Sequence, residues 1–268
     1  MVRDLCLFAG QNENSQIAWF NITYVNKKGA LPLIINFLEE QNVFVSIGHL
    51  DGMNKEVGEY SIFAEVQKET DIWELSRELE KLEVVKKVES GVSENRMIHL
   101  VEFPFNVLGA RGIISRAPTL VDIIRTLNES AQHADGLLTL SGLKGGIYAA
   151  KYFKGIMKLN DSNFTSILAE LYKAIGWGIL EIECDPVTYE GKILVKDSFI
   201  ADAYGEADEP VCSYMSGYFA GYLTEYSGKA IQVREVSCKA NGHKVCTHVI
   251  SLAQASLNLE KQVQGGFR

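Results

Sequence analysis

The chain has 268 residues, of which 47% are hydrophobic and 22% charged, and this mixture is typical of a soluble globular protein that can fill two cores. Its formal net charge of -8 argues against direct nucleic-acid binding, because phosphate recognition relies on clustered Lys and Arg. No window approaches the roughly 18 apolar residues of a membrane span, and the N-terminal apolar run is too short for a signal peptide. We therefore expect a cytoplasmic protein, in which clustered cysteines bind metal or respond to redox state more often than they form disulfides.

The first hundred residues predict a βαββαβ order. Segments rich in β-branched and aromatic residues predict strands over residues 17–25, 43–47, 60–66 and 84–88. Apolar residues at helical spacing predict one helix after the turn at Gly29 and a second after Asp71, which is a plausible N-cap. This order is the ferredoxin-like arrangement.

Residues 15 to 90 resemble the ACT family of regulatory domains in element order, in length and in the glycine before the first helix. The resemblance implies pairing of two chains through their sheets and amino-acid binding at the turn, where Asn26, Gly29 and Ala30 hold the corresponding positions. Asn26 and Lys28 replace the acidic residue and the proline that the family usually has there. The alternative is therefore a dimerisation module that has kept the fold without the ligand.

A segment without either periodicity, from Phe103 to Gly112, predicts a linker. We accordingly expect two domains, residues 1–100 and 101–268. In the second domain, the pattern predicts helices after Pro118 and over 134–157, 164–175 and 209–226, and strands over 177–184, 192–199, 230–237 and 245–252. Asn241-Gly242 predicts a two-residue hairpin turn between the last two strands.

Glycines are unusually frequent in the predicted helix over residues 134–157. They stand at Gly136, Gly142, Gly145, Gly146 and Gly155. Such a density predicts close packing of this helix against a neighbouring element or a ligand, or else a loop between two shorter helices. In the helix over 209–226, Gly217 and Gly221 stand four residues apart and predict a groove that another helix can approach closely.

Three of the five cysteines, Cys212, Cys238 and Cys246, fall close together near the C-terminus. A hairpin that joins two of them near a third at a helix start suits a tetrahedral metal site that needs a fourth donor. Candidates for that donor are Glu235, His243 and His248, and zinc accepts both residue types, so chemistry alone leaves the choice open. Cys6 and Cys184 are expected to be buried and inert.

Several motifs of the second domain resemble successive landmarks of the 4-vinyl-reductase domain, over about residues 105 to 255. These motifs are Trp177-Gly178, Asp197-Ser198-Phe199, Glu209-Pro210-Val211-Cys212, Gly217 to Gly221, and Glu235 to Cys246. The family includes sensory domains of bacterial phenol-responsive activators, a bacteriochlorophyll-synthesis protein, archaeal redox-responsive regulators and relatives among vesicle-transport subunits. In its aromatic-sensing members, three cysteines and a glutamate hold zinc at this spacing. The resemblance thus implies a structural zinc ion bound by Cys212, Glu235, Cys238 and Cys246.

The resemblance also implies an internal pocket near the zinc for a small, largely apolar or aromatic molecule or a lipid. Aromatic residues that could line it are Tyr152, Phe153, Trp177, Tyr214, Tyr218 and Tyr222. We find no P-loop, no G-x-S-x-G and no G-x-G-x-x-G after a strand, so we do not expect an enzyme. The two resemblances together imply an α+β ligand-binding regulatory protein that forms a homodimer. The alternatives are a redox-responsive zinc–thiolate regulator, a reductase-like enzyme and an interaction module.

Overall fold

The computed structural model describes residues 12–93, 96–98, 106–157 and 159–253. Cys6 and residues 103–105 of the predicted linker lie outside the described residues. The chain divides into two compact units, Met1–Asn106 and Val107–Arg268. Within the described part of the chain, no helix combines the length and the apolar composition needed to cross a bilayer.

The first unit has the predicted βαββαβ order. Its elements are β1 (Ser15–Val25), α1 (Ala30–Glu40), β2 (Phe44–Asp51), β3 (Val57–Gln67), α2 (Ile72–Glu80) and β4 (Val85–Ser93). The strands form an antiparallel sheet in the order β2-β3-β1-β4, which is the ferredoxin-like topology. Asp71 caps α2 as predicted, because its carboxylate accepts hydrogen bonds from the backbone N–H groups of Trp73 and Glu74.

The core of the first unit lies between one face of the sheet and the two helices. Alternate residues of β1 are buried there, namely Ala18, Phe20, Ile22 and Tyr24. Helix α1 contributes residues at helical spacing, including Ile34 and Leu38, which are also buried.

The second unit contains helices and a separate antiparallel sheet. A short hairpin, β5 (Asn106–Val107) and β6 (Ala110–Arg111), lies where the first unit ends. The helices are α3 (Ala117–Ser130), α4 (Ala134–Ile156), α5 (Phe164–Ala174), α6 (Phe199–Tyr204) and α7 (Ser213–Ser227). The sheet has the order β7-β8-β10-β9, formed by β7 (Ile179–Cys184), β8 (Gly191–Lys196), β9 (Ile231–Ser237) and β10 (Cys246–Leu252).

Two predicted elements of the second unit were wrong. The strand predicted to reach Phe199 ends at Lys196, because Asp197 has a φ of 49° and Ser198 caps the helix α6, accepting a hydrogen bond from the Ala201 N–H at 3.3 Å. The predicted two-residue turn at Asn241-Gly242 is instead part of a longer connection between β9 and β10 with a 3-10 turn over Lys239–Asn241.

Helix α4 is continuous from Ala134 to Ile156, so the alternative of two shorter helices was wrong. Its glycines make a close crossing with α7. A Cβ atom at Gly142 would lie 2.8 Å from the Tyr218 nitrogen, and one at Gly221 would lie 2.8 Å from the Leu143 carbonyl carbon. The two backbones therefore touch, and side chains at these positions cannot be accommodated without separating the helices.

Candidate metal centre and aromatic cluster

Three buried thiols meet where α7 approaches the sheet. Cys212 is the N-cap residue of α7, Cys238 follows β9 and Cys246 begins β10. Their Sγ atoms are 3.8 Å apart for Cys212 and Cys238, 4.0 Å for Cys212 and Cys246, and 3.6 Å for Cys238 and Cys246. With a Glu235 oxygen, the four ligand atoms lie within 4.8 Å of one another. These residues form a Cys3Glu cluster that could hold a metal ion.

The spacing of the sulfur atoms fits a tetrahedral metal ion. Zinc–sulfur bonds of about 2.3 Å in tetrahedral geometry separate the sulfur atoms by about 3.8 Å, which is close to the three observed distances. The Glu235 carboxylate is oriented for the same role. Its Oε2 atom accepts a hydrogen bond from the Cys212 N–H at 2.8 Å, whereas its Oε1 atom is buried without a protein partner. A metal ion would satisfy that oxygen.

Backbone N–H groups of the connection after β9 support the sulfur atoms. The Lys239 N–H donates to Cys246 Sγ at 3.4 Å. Hydrogen bonds from the thiols of Cys212 and Cys246 and from the N–H groups of Val211 and Ala240 lower the pKa of Cys238 strongly. The Asn241 side chain fixes the same connection, since its Oδ1 atom accepts from the Cys238 N–H at 3.0 Å. Because the Asn241 side chain is bound to the Cys238 backbone, Asn241 and Gly242 do not form a simple two-residue hairpin turn.

The other donors of the cluster hold protons when no metal is bound. The hydrogen bond to Cys238 raises the pKa of Cys212 well above its ordinary value, and burial raises the pKa of Glu235 to about 8. Metal binding must displace these protons, because thiolate and carboxylate are the ligating forms.

We therefore expect metal affinity to rise with pH by more than about tenfold per pH unit between about pH 6 and pH 7.5, since each displaced proton contributes about tenfold. In the metal-free chain the cluster should contribute little pH dependence to stability over the same range, because the folded state keeps a proton on Glu235 that the unfolded state releases, but lacks a proton on Cys238 that the unfolded state keeps. Chelator competition and thermal unfolding over this range test both statements. Glu235→Gln is the control and should release one proton fewer. A thermal shift on metal binding that is the same at every pH would contradict the prediction.

Neither histidine proposed as a fourth donor lies in the cluster. His243 is exposed in the connection after β9. His248 is fully buried on β10 opposite Glu235, with its Nδ1 atom 2.8 Å from Ser216 Oγ. Burial lowers the pKa of His248 to about 4, so the ring is neutral. The structure thus brings Glu235, and neither histidine, to the three cysteines.

Six rings form an aromatic cluster beside the metal centre, where Cys212 lies close enough to act on Tyr172. Its members are Tyr172 of α5, Trp177, Phe199 of α6, and Tyr214, Tyr218 and Phe219 of α7. The centroid of the Tyr172 ring lies 5.3 Å from Trp177, 5.6 Å from Tyr218 and 5.1 Å from Phe219. Trp177, Tyr214 and Tyr218 were proposed from the sequence to line a pocket, and the structure brings these three together.

Other residues proposed for the pocket lie elsewhere. The Tyr222 hydroxyl donates to the Phe164 carbonyl oxygen at 3.1 Å. Tyr152 lies against Gly109 of the β5–β6 hairpin and makes an edge contact with Phe153. Among the described residues, neither Tyr152 nor Phe153 has a ring contact with the aromatic cluster. Tyr172 was missed, although its position four residues after Leu168 on α5 marks it as facing the core.

In the turn before α1 of the first unit, the Asn26 side chain is hydrogen-bonded to another part of the same chain. The Asn26 amide donates to the carbonyl oxygens of Gly52 at 3.1 Å and Asn54 at 2.5 Å. Gly29 has a φ of 89° at the N-cap of α1, and Ala30 is buried as the first residue of that helix. Amino-acid binding at this turn stays a prediction.

Comparison with known proteins finds a family model that matches the segment containing the metal centre. Residues 192–252, from β8 to β10, match the family model of the vinyl-4-reductase domain, which is the family that the sequence motifs resemble. This segment of the second unit therefore resembles a vinyl-4-reductase domain. All four residues of the Cys3Glu cluster fall within the matched segment. No curated protein sequence matches the chain.

Several solved structures resemble parts of the chain. The phenol-responsive sensory domain of the transcription activator PoxR, solved with phenol, is 24% identical, with a TM-score of 0.51 over 58% of this chain and 83% of that one. A vinyl-4-reductase family protein from Methanocaldococcus jannaschii is 18% identical, with a TM-score of 0.35 over 53% of this chain and 98% of that one. The ACT domain of a GTP pyrophosphokinase from Chlorobium tepidum is 20% identical, with a TM-score of 0.26 over 29% of this chain and 99% of that one. The likeness to PoxR supports the fold of a vinyl-4-reductase domain for the second unit.

Proposed function

We propose that the chain is a ligand-responsive regulatory protein whose vinyl-4-reductase domain binds a small, largely apolar molecule and holds one structural zinc ion. The observation that carries the proposal is the position of the aromatic cluster beside the Cys3Glu cluster. Helix α7 begins at Cys212 and supplies Tyr214 and Tyr218 within its first two turns. The phenol-bound sensory domain with a similar fold supports an aromatic or apolar ligand.

Zinc would be held by Cys212, Glu235, Cys238 and Cys246. Four protein donors complete a tetrahedral shell and leave no position for a reactive water, so the ion would serve structure and not catalysis. Bound there, it would offset half of the negative charge of the three thiolates and the carboxylate and would join the start of α7 to β9 and β10. A fixed start of α7 holds Tyr214 in place against Trp177 and Tyr218 in place against Tyr172.

The first unit would serve as an ACT-like regulatory or dimerisation domain of a cytoplasmic homodimer. Its ferredoxin-like topology supports this role, and an amino acid would be recognised at Asn26, Gly29 and Ala30. A ligand at that turn would have to compete with the carbonyl oxygens of Gly52 and Asn54 for the Asn26 amide.

A second candidate function is redox regulation. All three Sγ atoms lie within 4.0 Å of one another, so oxidation needs only a small movement to join two of them and would remove two metal ligands at once. Native mass spectrometry separates this candidate from the first, because a chain oxidised by a peroxide, which takes up two electrons and two protons, would be lighter by two hydrogen atoms and would lack metal.

We expect native mass spectrometry of the full chain, purified from its own host, to show two chains that each carry one zinc ion and one organic molecule. Trp177→Ala should lose the organic molecule and keep the metal, because Trp177 belongs to the aromatic cluster. Trp73→Ala is the matched control, since Trp73 is 64% exposed on α2 of the first unit, and it should keep both. A bound redox cofactor would favour a reductase-like enzyme instead, and a chain without any organic molecule would favour an interaction module.

A further inference from the structure

The hydroxyl of Tyr172 has no hydrogen-bond partner although the side chain is fully buried. Two other tyrosines of the same unit have hydrogen-bond partners. The Tyr222 hydroxyl donates to the Phe164 carbonyl oxygen, and the Tyr226 hydroxyl donates to the Asp161 carboxylate. Within the described residues, Tyr172 is the one tyrosine whose buried hydroxyl lacks a partner. An unpaired buried hydroxyl destabilises the fold, so its presence calls for a partner that the chain does not supply.

The surroundings of that hydroxyl define the chemistry of a partner. Trp177, Tyr218 and Phe219 pack around the Tyr172 ring, two of them edge-on. Burial, with smaller effects from Tyr218 and Tyr214, raises the pKa of Tyr172 well above its ordinary value. The hydroxyl therefore stays neutral and keeps a proton to donate. No charged side chain belongs to the cluster, so a charged ligand would be buried without a counter-ion.

The cluster has an outer and an inner side. Trp177 and Tyr214 are only partly buried, and their ring centroids are 5.9 Å apart. Phe219 lies on the inner side, fully buried, with its ring edge-on to His248. A molecule that reaches Tyr172 from solvent would part Trp177 and Tyr214, which bury less surface than the inner rings. The two outer rings would then cover the molecule.

We propose that the Tyr172 hydroxyl anchors the ligand of the vinyl-4-reductase domain by donating a hydrogen bond to an acceptor oxygen or nitrogen on a neutral, ring-shaped molecule. The inference rests on the proposed function and adds the class of ligand: an apolar ring that carries an acceptor. A purely hydrocarbon ring would leave the hydroxyl unpaired and would bind more weakly.

Two probes of nearly identical shape test the anchor. Acetophenone carries a carbonyl oxygen where α-methylstyrene carries a methylene group, so the pair differs in the acceptor alone. Calorimetric titration of the full-length, metal-loaded chain should show acetophenone binding about tenfold more tightly than α-methylstyrene. Tyr172→Phe should abolish that preference without lowering the thermal midpoint of the ligand-free chain, because the variant removes an unsatisfied group. Tyr226→Phe is the matched control, and it should keep the preference.

The other possible results of this titration each overturn a specific part of the proposal. Equal affinities of the wild type for the two probes, or a preference that survives in Tyr172→Phe, would overturn the role of Tyr172 and leave the proposed function standing. A Tyr172→Phe chain that unfolds at a lower temperature and binds neither probe would show that the residue is structural, which also overturns the inference. A wild type that binds neither probe would overturn the proposed binding of small apolar rings, and the anchor with it.

Discussion

Replacement of Cys238 by serine is expected to abolish stoichiometric metal binding and to destabilise the second unit by about 3 to 5 kcal/mol, the usual cost of removing one member of a buried charged assembly. Cys238 is the thiol most strongly supported as a thiolate, because it accepts hydrogen bonds from Cys212, Cys246 and two backbone N–H groups. A serine hydroxyl cannot supply the same soft anionic donor. Cys212, Glu235 and Cys246 would then be buried together without the metal ion that they share.

Elemental analysis of the purified chain measures the metal, and denaturant unfolding followed by circular dichroism measures the stability. Cys184→Ser is the matched control. Cys184 is a free, partly buried cysteine on β7 outside the cluster, and its substitution should leave metal content unchanged. Equal metal in Cys238→Ser and Cys184→Ser would contradict the assignment of the centre.

Chelation separates the contribution of the metal from that of the sulfur atom. If most of the stability comes from metal-mediated joining of α7 to the sheet, removal of the metal should bring the wild type close to the stability of Cys238→Ser. If the wild type stays equally stable after chelation, the loss of stability in Cys238→Ser comes from packing alone and not from loss of the metal. Thermal unfolding of the two chains with and without chelator measures this difference.

More of the metal centre than of the candidate ligand site could be predicted from the sequence. The spacing of Cys238, Cys246 and Cys212 indicates a metal site, but chemistry alone could not choose between Glu235 and the histidines. That choice came from a family resemblance, and the structure adds the physical reason. Glu235 presents a buried, unpartnered oxygen to the sulfur atoms, whereas the His248 ring is turned to Ser216 on α7. His248 lies directly opposite Glu235, so the two side chains share one face of the sheet, and the neighbours that each side chain meets there are set by tertiary packing, which spacing does not specify.

Misses in the fold and in the aromatic cluster have a related cause. Helix α6 was overlooked because Phe199 continues an apolar strand pattern, and only the positive φ of Asp197 and the cap at Ser198 end the strand. Tyr172 was overlooked because an ordinary core position and an unsatisfied hydroxyl look the same in sequence. The absence of a partner is a property of packing among several elements, and no local pattern encodes it.

The crossing of α4 and α7 should tolerate no side chain at Gly146, and Gly146→Ala is expected to destabilise the second unit by about 3 kcal/mol or more. A Cβ atom there would lie 2.7 Å from the Tyr222 nitrogen and closer still to the Tyr218 carbonyl oxygen. Both atoms belong to the backbone of α7, so rotation of a side chain cannot relieve the clash. The helices would have to separate and lose the close packing between them.

The same helix offers a matched control. Gly136 lies near the start of α4, and a Cβ atom there would meet nothing within 4 Å. Gly136→Ala should therefore stabilise the chain by about 0.5 to 1 kcal/mol through the higher helix propensity of alanine. Opposite signs for the two substitutions, measured as urea midpoints by circular dichroism, would confirm that packing decides the effect. Equal midpoints would contradict the close crossing.

The crossing also couples the fold to the candidate ligand site. Gly221 on α7 faces the Leu143 carbonyl group on α4, and Gly146 on α4 faces the backbone of α7. The two glycines therefore permit the same close contact between the helices, one from each side. Once Gly146→Ala has separated the helices, Gly221→Ala should cost less than it does alone, and the double variant should be more stable than the sum of the single effects predicts. If the losses of stability in the two single variants add up in the double variant, each helix adjusts locally to its own added side chain. A common displacement of α7 would instead move Tyr214 and Tyr218 away from Tyr172, so the ligand preference should weaken together with stability.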